Sequence, residues 1–145
     1  MTPRARTTQR FLLAAAAVLL AACGSETPTV PQAAASAAIG PNVSVKQTGD
    51  AQVSIVPGSV GFKIDDAKLI NVTLTVHSTA PGPQTVSARV SLFDAGGKLV
   101  GDATGGVLNA ASGANTPVAL SGPTPLGTIT AATIEFHLVP SPTHP

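Results

Sequence analysis

The residues that could do chemistry are few in this chain. Cys23 is the only cysteine, so it is the only candidate for thiol chemistry or lipid attachment. Glu135 and His137 are two residues apart on a predicted strand, which places both side chains on one face. With His77 they could form a two- or three-ligand metal site, although nothing in the sequence makes their strands neighbours. The simpler interpretation is a group of solvent-exposed polar residues.

Two acidic segments resemble catalytic groups, but their sequence context predicts turns. Asp65 and Asp66 are adjacent, and adjacent strand residues point to opposite faces, so they cannot act as paired carboxylates there. Asp94 opens the segment D-A-G-G, which is typical of a hairpin turn. The chain has no G-x-S-x-G motif, and its G-G-K-L segment lacks the spacing of a phosphate loop. We therefore predict no catalytic residues, no enzymatic activity and no cofactor.

The residues before Cys23 have the order of an export signal. The first ten residues contain three arginines and no acidic residue, and an apolar run follows at 11–22. This run is shorter than the about 20 residues that a membrane-spanning helix needs. Leu20-Ala21-Ala22-Cys23 resembles the lipobox of bacterial lipoproteins. The alternative is an ordinary secretory signal that is cleaved after Gly24.

The lipobox resemblance implies a lipidated protein. In bacterial lipoproteins a diacylglyceryl group joins the cysteine sulfur, and the signal is then cleaved before that cysteine. The freed amino group is commonly acylated too, for example with palmitate, and two acyl chains suffice for stable anchoring. The resemblance thus implies that Cys23 is the lipidation site and that membrane lipid is a partner. It places the protein in the bacterial cell envelope, at the inner or the outer membrane.

The charge distribution argues against a nucleic-acid partner. The formal net charge is +1, but three of the eight basic residues lie in the predicted signal. The remaining chain has five basic and seven acidic residues, which gives a net charge of −2. Its basic residues are scattered, whereas nucleic-acid binding needs a clustered basic face.

Alternation of apolar and polar residues predicts strands. The clearest are NVTLTVH at 71–77, TVSARVSL at 85–92 and TIEFHLV at 133–139. Shorter candidates lie at 43–45, 53–55, 62–64, 98–101 and 117–120. Seven or eight strands at this spacing predict an all-β, antiparallel, immunoglobulin-like β-sandwich.

The predicted organisation has four parts. A cleaved lipoprotein signal peptide covers 1–22, and the lipidated cysteine with a disordered linker rich in Ala, Pro, Ser and Thr covers 23–41. The β-sandwich domain covers 42–139, and a disordered tail covers 140–145.

The stretch VSLFDAGGKLVG at 90–101 carries a second resemblance. Leu92, Phe93, Asp94, Gly97 and Lys98 resemble the hairpin motif of the FxLYD domains of bacterial lipoproteins, with Phe in place of Tyr and valine in place of the first Phe. The resemblance covers at most 68–139. It implies an immunoglobulin-like sandwich with no assigned reaction.

Together these features predict a lipid-anchored cell-envelope lipoprotein. Its β-sandwich is expected to act as a non-catalytic binding, scaffolding or assembly module, with another envelope protein as its partner. Recognition is expected at loops or at an exposed strand edge. The alternative is a periplasmic small-ligand or metal-binding carrier that uses the Glu135/His137 face.

Overall fold

Strands make up most of the chain that the structure describes. The structure is a computed structural model, and it describes residues 36–141. Within this range there are eight strands and no helix, so no described helix could cross a membrane. The strands are β1 (Ala38–Gly49), β2 (Val53–Ile55), β3 (Gly61–Ile64), β4 (Ile70–Ser78), β5 (Gln84–Phe93), β6 (Leu99–Ala110), β7 (Asn115–Gly122) and β8 (Thr128–Pro140). The all-β prediction is confirmed.

The described strands form one sheet that curls almost into a barrel. Their order is β1-β8-β5-β6-β7-β4-β2, and β3 pairs with β4 alongside β2. β1 approaches β3, so the two ends of the sheet face each other. Every pair is antiparallel except β1 and β8, which are parallel. The predicted all-β, sandwich-like fold is confirmed, but β1 pairs with β8 in parallel, whereas only antiparallel strands were predicted.

The core lies on the inner face of this curled sheet. Apolar residues alternate with polar ones along β4, β5 and β8, and the apolar set is buried. Phe136 on β8 is the largest of the fully buried side chains. Burial of each large apolar side chain contributes about 1.5–3 kcal/mol, so the alternation also sets which face of each strand turns inward.

β1 and β6 extend furthest beyond their predicted bounds. β1 begins at Ala38, ahead of the predicted domain start at residue 42, and its register against β8 shifts between Ile39 and Ser44. β6 is 12 residues long, whereas the sequence predicted a strand at 98–101. Gly105 and Gly106 interrupt its apolar alternation, because a Cβ at either position would meet the backbone of β7 or β5. The close approach of these strands therefore hides β6 from pattern analysis.

Candidate functional site

The predicted hairpin motif forms the turn between β5 and β6. The Asp94 carboxylate accepts hydrogen bonds from the backbone N–H groups of Gly96 and Lys98, each at 2.9 Å. Gly97 has a φ of 76°, in the left-handed region that glycine adopts without steric cost. Leu92 is fully buried in the core. The turn prediction is confirmed, and the motif residues serve folding.

Phe93 lies on the outer side of the same strand. It is half-buried, and its register partners are Leu99 on β6 and Ala131 on β8. Its backbone carbonyl accepts a hydrogen bond from the Thr130 hydroxyl at 3.4 Å. The resemblance to FxLYD domains stays a prediction.

The adjacent carboxylates also form a turn, between β3 and β4. One oxygen of Asp65 accepts a hydrogen bond from the backbone N–H of Leu69 at 2.9 Å, and the other accepts one from the Asn71 amide at 3.0 Å. These bonds, the backbone one first, lower the pKa of Asp65 below its ordinary value. Asp66 occupies the exposed tip of the turn. The turn prediction for this pair is confirmed.

The structure brings Glu135 and His137 together on the outer face of β8. Glu135 Oε1 and His137 Nε2 are 3.5 Å apart, with 48% and 64% of their side chains exposed. His77 lies on β4, with Nδ1 2.9 Å from the Asn115 amide oxygen, and three strands separate β4 from β8 in the sheet order. Within residues 36–141 no group of three or more His, Cys, Asp and Glu could hold a metal ion. The geometry thus leaves a two-residue pair.

The neighbouring strands add balancing charges to this face. Arg89 on β5 stands directly opposite Glu135, and its guanidinium is 3.6 Å from the Asp102 carboxylate on β6. Both side chains of this ion pair are exposed, so the pair contributes at most about 1 kcal/mol. Positive and negative groups alternate across β8, β5 and β6, which is typical of a solvated surface.

An apolar cleft opens where the two ends of the sheet face each other. This seam cleft has a volume of about 400 Å³ and lies between β1 and the segment from β2 to β3. Its lining residues are Val43, Val45, Gln47, Ile55, Pro57, Gly58 and Val60. Three of its apolar lining residues, Val43, Ile55 and Val60, pack against the main core, so the cleft is continuous with that core.

The Gln47 side chain joins the two sides of the seam cleft. Its amide nitrogen donates to the backbone carbonyl of Val53, and its amide oxygen accepts from the backbone N–H of Ile55 at 2.9 Å. β2 is paired with β4, so these bonds reach β2 from the direction of β1. One side-chain amide therefore takes the role of a peptide group in a neighbouring strand.

The Ser59 side chain likewise replaces a backbone hydrogen-bonding group, here alongside β4. The chain leaves β4 between β2 and β3, which would leave a backbone N–H of β4 unpaired. The Ser59 hydroxyl accepts a hydrogen bond from Thr75 N–H at 3.0 Å and donates one to the Val56 carbonyl at 2.7 Å. These bonds hold the segment 56–60 against β4, at one wall of the seam cleft.

Neither Gln47 nor Ser59 was predicted from the sequence. A signal existed for Gln47, because it lies on the same face of β1 as Val43 and Val45, and a polar residue on an apolar face needs a hydrogen-bond partner. For Ser59 there was none, since a serine after Pro57-Gly58 is ordinary turn composition.

No protein-family model matches this chain, and the comparisons with curated proteins and with solved structures found no match either. The proposals below therefore rest on the residues of this chain.

Proposed function

We propose that this chain is a lipid-anchored protein of the bacterial cell envelope whose β-sandwich binds or assembles with another envelope protein, without catalysing a reaction. The observation that carries the proposal is the position of Cys23, directly after the apolar run and at the end of Leu-Ala-Ala-Cys. This segment lies outside the described residues, so its support comes from the sequence. Acyl chains on Cys23 would fix the domain at a membrane surface.

The distance between Cys23 and the first strand supports a positional role. β1 begins at Ala38, so residues 24–37 separate the lipid from the sandwich. A flexible chain of about 14 residues has a root-mean-square span of roughly 20 Å. Confinement within such a layer raises the effective concentration of the domain for any partner on the same membrane.

The seam cleft is the surface best suited to recognition. Within residues 36–141, β1 pairs with β8 alone and leaves its other edge without a strand. Such an edge can accept an extended segment of a partner, and the valines of the cleft can receive its apolar side chains. The Gln47 amide supports this role, because it bonds β2 as the backbone of an added strand would.

The anchor is tested with a Cys23→Ala variant in a bacterial host. We expect the parent protein to incorporate radioactive palmitate and to sediment with membranes, and the variant to do neither. A Thr29→Ala variant is the matched control, since it alters the predicted linker and keeps the lipobox. Equal membrane retention of the Cys23→Ala variant would refute the anchor, as would a free Cys23 thiol in mass spectra of the mature protein.

A second candidate function is metal or small-ligand carriage at the outer face of β8. The observation that favours it is the 3.5 Å approach of Glu135 and His137, which are ligand types that zinc accepts. Calorimetric titration with Zn²⁺ tests it. A carrier should lose binding in His137→Ala and retain it in His77→Ala, whereas tight binding by His137→Ala would exclude this site.

A further inference from the structure

One end of the sandwich collects exposed apolar side chains. This end, called the tether end here, comprises the start of β1, the β3–β4 turn (65–69), the β5–β6 turn (94–98) and the β7–β8 loop (123–127). The loop crosses it, because Leu126 N–H donates to the Val100 carbonyl at 2.7 Å. Ala38 N–H in turn donates to the Gly127 carbonyl at 3.3 Å. The chain from Cys23 therefore enters the sandwich at this end.

The exposed residues of the tether end are large and aliphatic. Leu126 is 75% exposed, Leu99 is 54%, Leu69 is 41% and Ile39 is 36%. Within residues 36–141 these are four of the seven large hydrophobic residues that are exposed. Contiguous apolar surface on a soluble domain typically marks an interaction site, and turn tips are the part of a domain where water contact favours polar residues.

The four side chains lie on neighbouring segments. Leu99 and Leu126 line the same concavity of about 370 Å³ together with Pro123. Leu69 precedes Ile70, whose register partner on β7 is Gly122, so the β3–β4 turn adjoins the loop. At the other side of the loop, the bond between Ala38 and Gly127 places Ile39 next to it. The four apolar residues thus lie on adjoining segments of the tether end.

We propose that the tether end docks onto the lipid bilayer that holds the acylated Cys23, with Leu126 and Leu99 inserted at the boundary between headgroups and acyl chains. This inference rests on the proposed function, because it takes the lipid anchor as given. Interfacial docking of this kind depends on the apolar area that leaves water.

The length of the linker favours this occupant over a protein partner. The 13 residues of β8 span roughly 40 Å, at about 3.3 Å per residue. A flexible chain of 14 residues, the number between Cys23 and β1, would have a root-mean-square span of roughly 20 Å, about half that length. On average it would therefore hold the tether end nearer to the membrane than the opposite end.

The charges of the tether end indicate whether docking would depend on anionic lipids or on apolar contact. Lys68 and Lys98 lie in the two turns, but so do Asp65, Asp66 and Asp94, so the surface is not cationic. Attraction to anionic lipids needs clustered basic residues. We therefore expect docking to depend on apolar contact, and to change little with salt or with the fraction of anionic lipid.

The test uses the full-length lipidated protein in phosphatidylcholine vesicles whose acyl chains carry bromine, a fluorescence quencher. A Thr124→Cys substitution in the β7–β8 loop provides the attachment point for an environment-sensitive fluorophore, and Ser112→Cys in the β6–β7 turn at the opposite end is the matched reporter. We expect severalfold stronger quenching at position 124. Equal quenching at both positions would overturn the proposal.

A pair of leucines controls for the apolar contact. In the Thr124→Cys background, Leu126→Asp should reduce quenching to the level at position 112. Leu108→Asp should leave it unchanged, since Leu108 is 73% exposed but lies near the opposite end of β6. Equal effects of the two substitutions would contradict docking through the tether end, and circular dichroism verifies that both variants fold.

The same samples separate the two proposals. The protein without a reporter cysteine should take up no fluorophore, because acylation blocks the Cys23 sulfur. Labelling of that protein would contradict the anchor itself. A third outcome is that the protein co-sediments with vesicles and takes up no fluorophore, but the reporters at both ends are quenched equally. This outcome would leave the anchor intact and overturn docking alone.

Discussion

The sheet is held together differently in its two halves. From β8 through β5 to β6, adjacent strands are paired along almost their whole length by backbone hydrogen bonds. Around the seam cleft, the side chain of Gln47 links β1 to β2, and the Ser59 hydroxyl occupies a gap along β4. Loss of one side chain can thus weaken the link between β1 and β2, whereas the strands of the first half are held by continuous backbone pairing. This difference supports the seam cleft as the place where, in the proposed function, a strand of a partner would add.

The two halves nevertheless share one turn design. The β3–β4 turn and the β5–β6 turn each begin with an aspartate. Its backbone N–H donates to the carbonyl four residues later at 3.0 Å, and its carboxylate accepts a hydrogen bond from the N–H of that same residue at 2.9 Å. These pairs are Asp65 with Leu69 and Asp94 with Lys98. The left-handed position before the last residue holds Lys68, with φ 65°, in the first turn and Gly97 in the second. Only the second turn has the residue that this conformation favours.

The largest expected loss of stability is for a substitution in the core beneath β8, β5 and β6, the half with continuous backbone pairing. Phe136→Ala should lower the free energy of unfolding by about 3–5 kcal/mol, because it leaves a cavity at the most buried aromatic position. Val45→Ala at the seam cleft, where the side chain is 39% exposed, should cost less than about 1 kcal/mol. Chemical unfolding followed by circular dichroism measures both, since the chain has no Trp or Tyr. Equal losses would contradict the contrast between the halves.

Removal of the Gln47 amide should weaken the seam specifically. Gln47→Ala leaves the Val53 carbonyl and the Ile55 N–H without their partner, at a cost of about 1–3 kcal/mol. Amide hydrogen exchange at Ile55 should accelerate, while exchange in β5 stays slow. Lys46→Ala, an exposed change on the same strand, is the control. Unchanged exchange at Ile55 would show that the amide does not hold the seam.

Exchange of the residues at the left-handed position should have opposite effects in the two turns. Gly97→Ala places a Cβ where φ is positive and should destabilise the fold by about 1–2 kcal/mol. Lys68→Gly removes a strain of about 1–2 kcal/mol. Glycine also gains entropy in the unfolded chain, about 0.4–1 kcal/mol, so the net stabilisation should be about 0.5–1 kcal/mol. Thermal unfolding midpoints report both signs. A loss of stability in Lys68→Gly would mean that the lysine side chain has a role that the turn geometry does not include.

The smallest effect is a pH dependence in the turn of Asp65. The folded pKa of Asp65 is lowered, so its carboxylate stabilises the fold above its unfolded pKa of about 3.9, and this stabilisation is lost as the pH falls through the folded pKa. The stability difference between the parent protein and Asp65→Asn should therefore be constant near neutral pH and shrink below about pH 4. A difference that stays constant into the acid range would contradict the role of the charge.

The long strands could be predicted because their pattern is local. The segments 71–77 and 85–92 each lie inside an observed strand that extends by one residue at either end, and 133–139 lies inside β8, which begins five residues earlier. Alternation reports which side of a strand is buried, whatever its neighbours are. β6 was largely missed, because Gly105 and Gly106 interrupt its alternation. Glycine is needed at these two positions since the backbones of β7 and β5 leave no room for a side chain.

The candidate sites likewise divide into those that could be predicted from local spacing and those that could not. The approach of Glu135 and His137 followed from their spacing on one strand, and both turn aspartates followed from turn chemistry. The seam cleft and the tether end are each assembled from segments far apart in the chain. Such contacts depend on the strand order, and no pattern within one segment specifies that order.

The place of β8 between β1 and β5 has a consequence for biogenesis. A chain that crosses a membrane from its amino terminus, as we propose, delivers β8 after the other seven described strands. Until then two unpaired edges remain open, and such edges promote aggregation between nascent chains. An acyl group attached early would spread these half-made molecules over a surface until the closing strand arrives.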